Sequence, residues 1–246
     1  LMINVDYIDT VAVVTLSRAP VNAMNRQFME QVTTTFEMLG DNPDAKCILL
    51  KSDMRCFCAG ADVKQRGTSV SGEYGARAGH NRVARAMFNA IADCPKPVIA
   101  AVHGAALGSG LAIVACCDII VAAESAFFGL PEVTIGLLGG ARHAMRILPH
   151  SLLREVAFTG ATVPAAYLHQ IGVIRHYCPD DKLAAESMEL ARAIVANSGV
   201  ALCKAKTSLN TIENMSVADG YRFEQKMTND LMDTDAGKAA FRTTGL

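Results

Sequence analysis

Tryptophan is absent from this chain and aromatic residues make up only 6 % of its 246 positions, so its core has to be built from aliphatic side chains. Charge of one sign is lacking too. Twenty-three basic residues stand against 24 acidic ones, for a net charge of −1, which argues against a nucleic-acid surface or an acidic tail. No apolar run reaches the roughly eighteen residues of a membrane span, and no basic segment followed by an apolar one opens the chain, so no secretory signal is expected. There is no C-x-x-C pair, and Cys56-x-Cys58 has no second ligand pair at zinc spacing, so no metal site is expected. The eight cysteines lie mostly in apolar runs and read as small buried hydrophobes of a reducing, cytoplasmic compartment. Neither a P-loop nor a G-x-G-x-x-G fingerprint occurs, so neither ATP nor NAD chemistry is expected.

What is present is enough for one substantial core, or one domain with an appendage. Val11–Leu16, rich in β-branched residues, and Cys47–Leu50 read as strands, and Phe28–Leu39 carries apolar residues at helical spacing before Gly40 and Asn42-Pro43. The glycine- and serine-rich stretch Val63–Gly79 reads as a mobile surface loop over the site. Asn81–Asp93 returns to helical period and stops at Cys94-Pro95-Lys96-Pro97. Strand, turn and helix recur over Val98–Cys116, followed by strands over Asp118–Ala122 and Ala126–Phe128. Helices are expected over Pro164–Gln170, Asp181–Asn197 and Val200–Glu213, with a charged, Ala- and Met-rich stretch from Ser216 to Phe241. Strand–strand–helix repetition indicates an α/β fold.

Two turns carry most of the functional information. Cys58-Ala59-Gly60-Ala61-Asp62 and Gly104-Ala105-Ala106-Leu107-Gly108-Ser109-Gly110 each follow a β-like apolar run, and both are built from residues with almost no side chain. Such turns let a ligand approach the backbone, and unpaired N–H groups there can point at an anion. Facing each other, they could hold one oxygen between two amides. Taken singly, each also reads as a tight strand-to-helix turn.

The surroundings are specific in combination. Phe57-Cys58-Ala59-Gly60-Ala61-Asp62, Lys96-Pro97-Val98-Ile99-Ala100-Ala101-Val102-His103-Gly104, Gly108-Ser109-Gly110, Cys117-Asp118-Ile119 and Phe128-Gly129-Leu130-Pro131-Glu132 occur in that order. The series resembles the crotonase, or enoyl-CoA hydratase/isomerase, family from the first strand to about Thr211. The resemblance implies an α/β spiral of ββα units over residues 1–190 and a C-terminal helical trimerisation region over 191–246. It also implies an acyl-CoA substrate, with coenzyme A as part of that substrate and no separate cofactor, and a homotrimer or dimer of trimers. Apolar residues at Leu202, Leu209, Ile212, Met215, Phe223, Met227 and Leu231 suit such an interface.

Motif by motif, the resemblance makes the backbone N–H groups of Ala61 and Ser109 the oxyanion donors and Glu132 the acid/base. Two-carboxylate hydratases of the family carry a further glutamate two residues after the G-x-G, where this chain has Ala112. One carboxylate suffices to move a double bond by removing and returning a proton. Isomerisation or hydration of an enoyl-CoA is therefore expected, with a lyase, a hydrolase or an inactive acyl-CoA-binding homologue as alternatives. Apolar Phe128, Leu130 and Leu137 near Glu132 are expected to favour its neutral form. The resemblance assigns CoA to the backbone of Val21, Asn22 and Ala23 with Cys58, Ala59, Gly60 and Asp62, brings Arg18 toward the phosphates, and keeps Gly108 and Gly140 as small residues at the reacting end. Arg142 and His143 stand where relatives have glycine. They are either substrate-specific contacts or residues opening a helix. Asp118 and His103 read as structural, bonding nearby backbone, and His80 as solvated.

Overall fold

The computed structural model describes residues 1–63 and 76–244, so most of the expected Val63–Gly79 loop lies outside the described residues. The main sheet has six strands: β1 (Ile3–Ile8), β2 (Val11–Leu16), β3 (Cys47–Ser52), β4 (Val98–Val102), β6 (Ile119–Ala123) and β9 (His176–Cys178), in the order β1-β2-β3-β4-β6-β9. A second sheet joins β5 (Ala105–Leu107), β7 (Phe127–Gly129) and β8 (Thr162–Pro164). β1 and β2 form an antiparallel hairpin turned at Asp9-Thr10, whereas β2, β3, β4, β6 and β9 run parallel.

The strand sequences lack polar alternation because both faces of the sheet are covered. Side chains alternate across a strand, and here each set finds its own core. Ala12, Val14, Leu16, Ile48, Leu50, Val98, Ala100 and Val102 join one cluster with Phe28, Val32, Phe36, Met87, Ile91 and Leu111. Val11, Val13, Cys47, Leu49, Ile99, Ala101, Val121 and Ala123 face the other side and pack with Leu183 and Ala191. Parallel strands buried on both faces read as continuous apolar runs. The first cluster draws on the helices Arg26–Asp41, Ala76–Ala92 and Ser109–Cys116, and the second on Leu183–Val195. Asn25 caps the Arg26–Asp41 helix by accepting a hydrogen bond from the Phe28 N–H at 2.8 Å.

The Ser109–Cys116 helix is apolar all round and, after Ser109, wholly buried. It therefore runs through the interior and not along the surface, and its N-terminal end meets the Cys58–Asp62 turn. Residue 190, the expected domain boundary, falls inside Leu183–Val195, and the helices Gly199–Ile212, Val217–Met232 and Asp235–Thr244 follow. Lys206 ties the first of these to the sheet. Its Nζ lies 2.8 Å from Asp118 Oδ2 and donates to Lys96 O at 3.0 Å, while Asp118 Oδ2 also accepts from Val98 N at 2.7 Å. This agrees with a structural Asp118. His103 likewise meets local backbone, with Nε2 2.8 Å from Met54 O. None of the seven apolar residues expected to face an oligomer interface is buried.

Candidate active site

Cys58 is the join between the two small-residue turns. Its N–H donates to Ala105 O at 2.9 Å and its carbonyl accepts from Leu107 N at 3.0 Å. This parallel pairing, centred on Cys58 and Ala106, brings Gly60 against Ser109: a β-carbon on Gly60 would stand 3.8 Å from Ser109 N and 2.9 Å from Leu107 O. Among the described residues, the N–H groups of Ala61 and Ser109 have no hydrogen-bond acceptor. The Cys58 thiol is buried at this join, and burial pushes its pKa up to about 12, so it is a packed thiol and not a nucleophile.

Glu132 arrives from the other side, in the 3-10 helix Pro131–Ile135. Pro131 opens that turn, and the N–H groups of Gly136 and Leu137 close on the Glu132 carbonyl. The side chain then reaches Gly108. A β-carbon on Gly108 would overlap Glu132 Oε1 and lie 3.0 Å from its Cδ. Gly108 also has φ 56° and ψ −119°, a conformation open to glycine and closed to residues with a side chain. Glu132 Oε2 is buried. The 3-10 geometry at Glu132 carries no sequence signal beyond Pro131.

Ala61, Gly108 and Glu132 line a cavity of about 190 Å³ together with Ala59, Gly60, Pro131 and Leu137, whereas Ser109 adjoins it through Gly108 and is not part of its lining. Val63, Thr134 and Ile135 complete its lining; Val63 opens the stretch expected to lie over the site, whereas sequence reasoning did not single out Thr134 and Ile135, which the turn carrying Glu132 brings in. Phe128 and Leu130 are buried close by.

Gly140 does not line this cavity, and neither does Ala112. That residue is fully buried, and Gly140 sits over it: a β-carbon on Gly140 would lie 3.5 Å from Ala112 Cβ and 3.2 Å from both Leu130 Cδ2 and Gly108 O. Gly140 precedes the short helix Ala141–Ala144 in left-handed conformation. Arg142 and His143 lie in that helix and do not line the cavity. Arg142 is exposed. The His143 ring packs on Phe88 with centroids 4.6 Å apart, and burial, then the charges of Arg142 and Arg146, lower its pKa.

The segments expected to cradle CoA are joined into one backbone unit. Ala59 N donates to Val21 O at 3.0 Å, Met24 N to Gly60 O at 2.8 Å, and Asp62 N to Met24 O at 3.0 Å. Arg18 is held within this unit, its guanidinium 2.8 Å from Asp62 Oδ2 and bonded to Ala23 O.

The sequence profile of the enoyl-CoA hydratase/isomerase family matches residues 7–244. The chain belongs to the enoyl-CoA hydratase/isomerase family. Among its relatives, a (7aS)-7a-methyl-1,5-dioxo-2,3,5,6,7,7a-hexahydro-1H-indene-carboxyl-CoA hydrolase of Mycobacterium tuberculosis is 37 % identical over 221 residues, covering 90 % of this chain and 89 % of the relative. A probable enoyl-CoA hydratase of Mycobacterium bovis is 31 % identical over 238 residues, covering 94 % and 91 %. The crystal structure of an enoyl-CoA hydratase from Bacillus anthracis superposes with a TM-score of 0.90 at 26 % identity, covering 99 % of this chain and 97 % of that one. The architecture is therefore the crotonase α/β fold, with its C-terminal helical region. Within this enzyme family, named relatives divide between hydratases and hydrolases. Among the described residues no helix is long and apolar enough to cross a membrane, and no three His, Cys, Asp or Glu residues are grouped to hold a metal ion.

Proposed function

We propose that this crotonase-family protein converts an acyl-CoA thioester by holding its carbonyl oxygen between the N–H groups of Ala61 and Ser109 and moving protons with Glu132. The single observation that carries the reading is the convergence on one cavity of a carboxylate seated on Gly108 and two adjacent small-residue turns. A thioester carbonyl gains negative charge when its α-carbon loses a proton or its β-carbon accepts a nucleophile. Two fixed amides stabilise that enolate, each lowering the barrier by about 3–4 kcal/mol by analogy with measured oxyanion donors. Glu132 then removes a proton from one carbon and returns it to another, or takes one from water.

With alanine at 112, where two-carboxylate members of the family carry a glutamate, one carboxylate acts alone. Double-bond isomerisation or hydration of an enoyl-CoA is the leading reaction, and coenzyme A enters as part of the substrate. The backbone unit of Val21, Ala23 and Cys58 to Asp62 receives it. The unburied apolar residues of the last helices support a homotrimer or a dimer of trimers, since symmetric closure is the usual way to cover such a face.

A specific observation favours a second reading. The 37 %-identical relative is named as a hydrolase of a bicyclic diketone carboxyl-CoA, and the same oxyanion site with one carboxylate serves attack of water on a carbonyl. A panel of β,γ- and α,β-enoyl-CoA esters and a cyclic-diketone CoA ester, with products followed by mass spectrometry, separates the readings. A shifted double bond at unchanged mass marks an isomerase, and gain of one water by an enoyl ester marks a hydratase. Ring opening of the diketone ester, or release of free CoA, marks a hydrolase. Binding of the panel without conversion by folded protein contradicts the catalytic reading.

A further inference from the structure

Asn22 is fully buried and held at φ 51°. Its amide nitrogen donates to Ser52 Oγ at 2.8 Å, Phe57 O at 2.9 Å and, more weakly, Leu16 O at 3.3 Å. Its Oδ1 accepts from Arg18 N at 2.7 Å, and its own carbonyl accepts from the Cys58 thiol at 3.1 Å. One side chain thus gathers the ends of β2 and β3, the Phe57–Cys58 segment and its own turn.

Two residues on, Met24 is bridged in parallel to Ala61. The N–H of Asp62 points at Met24 O. Successive peptide groups of an extended chain point to opposite sides, so the Ala61 N–H is turned away from Met24, on the side of the cavity that Ala61 lines. The direction of that N–H is therefore set by the Val21–Met24 segment, and that segment is anchored by Asn22. The Arg18–Asp62 ion pair is a second, more exposed tie between the same two segments.

We infer that Asn22 is a positioning residue for the Ala61 N–H: by fixing the segment to which Ala61 is paired, it sets where this donor points. The inference rests on the reading of Ala61 as an oxyanion donor. Oxyanion donors act within a distance window only about 0.4 Å wide at the developing charge, so a small loosening of the segment is sufficient to matter. Asn22 has no exposed surface; its influence on a bound thioester has to pass through the backbone it holds. A purely structural Asn22 would lower stability and leave carbonyl polarisation in the folded protein unchanged.

The probe is crotonyl-CoA labelled with ¹³C at the thioester carbonyl, bound to Glu132→Gln protein so that it is not converted. Isotope-edited infrared spectroscopy reads the carbonyl stretch, which moves to lower frequency as the oxygen is hydrogen-bonded. Asn22→Gly, which retains the freedom for positive φ, is expected to lose at least half of that downshift. Its dissociation constant for the probe is expected to rise as well, because the same segment receives the CoA, so the shift is read at saturating probe; in the Glu132 background kcat should fall about tenfold or more at saturating substrate. Arg18→Gln, at a partly exposed site, should lose a smaller but resolvable part of the shift. Should Asn22→Gly fail to fold, Ser52→Ala, which removes one acceptor of the Asn22 amide, takes its place and should lose a resolvable part of the downshift. A full downshift in the folded variant overturns the inference, as does a loss confined to affinity. Absence of any downshift in Glu132→Gln with Asn22 intact contradicts the oxyanion reading itself, and the inference falls with it.

Discussion

The carboxyl of Glu132 rests on the α-carbon of Gly108, so close that a β-carbon at 108 would overlap Oε1. The absence of a side chain at 108 is thus what leaves room for the carboxylate beside the Ser109 N–H. Gly108→Ala should displace the carboxylate and strain the φ 56°, ψ −119° backbone together. Turnover is expected to fall about 100-fold or more, the scale of a lost acid/base, with a lowered melting temperature. Steady-state kinetics and thermal melts check it; a folded alanine variant of near-normal kcat contradicts this placement of Glu132.

Ala112→Glu restores a second carboxylate at the position where two-carboxylate members of the family carry one. The variant should gain water addition relative to isomerisation on an α,β-enoyl-CoA, scored as the product ratio. Ala112 is fully buried with Gly140 packed on it, so the gain should come with reduced stability from a carboxylate forced into a tight apolar interior. A folded variant that binds the CoA ester without any rise in that ratio contradicts the account of the missing glutamate.

Lys206 keeps only 5 % of its side chain exposed and pairs with Asp118 at 2.8 Å. Lys206→Met removes the ammonium from a carboxylate that stays partly in solvent and should destabilise the fold by about 1.5 kcal/mol, near the low end for lost hydrogen bonds to a charged group. Asp118→Asn in the same chain should return part of the loss, so the two changes are not additive. Denaturant unfolding of the three variants measures this, and additive losses would show the pair to be uncoupled.

His143 gives a pH dependence of known sign. Burial against Phe88, followed by the charges of Arg142 and Arg146, lowers its pKa below the ordinary 6.5. The unfolded chain then binds the proton more readily than the folded one, so this group's contribution falls as pH drops through about 6.5. His143→Phe removes the effect. The melting temperature of the variant relative to wild type should rise as pH is lowered from about 7.5 to about 5.5. A gap that does not change with pH contradicts this assignment.

The sheet and the site motifs were legible in the sequence for the same reason: both depend on local composition. Val98–Val102 and Ile119–Ala123 are apolar throughout, and Val11–Leu16 is apolar but for Thr15, because both faces are covered, and the Cys58–Asp62 and Gly108–Gly110 turns have small side chains because backbone meets backbone there. β1 escaped notice because only Ile3 of its six residues is buried, which leaves no pattern of period two. The three-residue strands β8 and β9 are defined by their partners and not by their own residues. The occupation of Arg18 by Asp62, 44 positions away, has no local signature either. The lining contributed by Thr134 and Ile135 follows from the 3-10 turn at Glu132, which could not be read from Pro131 alone.

The most direct measurement is the turnover of Glu132→Gln on whichever CoA ester the panel identifies, together with that ester's dissociation constant. The amide keeps the shape of the side chain but cannot shuttle a proton. The account predicts a loss of at least about 100-fold in kcat with binding of the ester nearly unchanged. A variant retaining more than about a tenth of the wild-type rate would contradict the central role of Glu132.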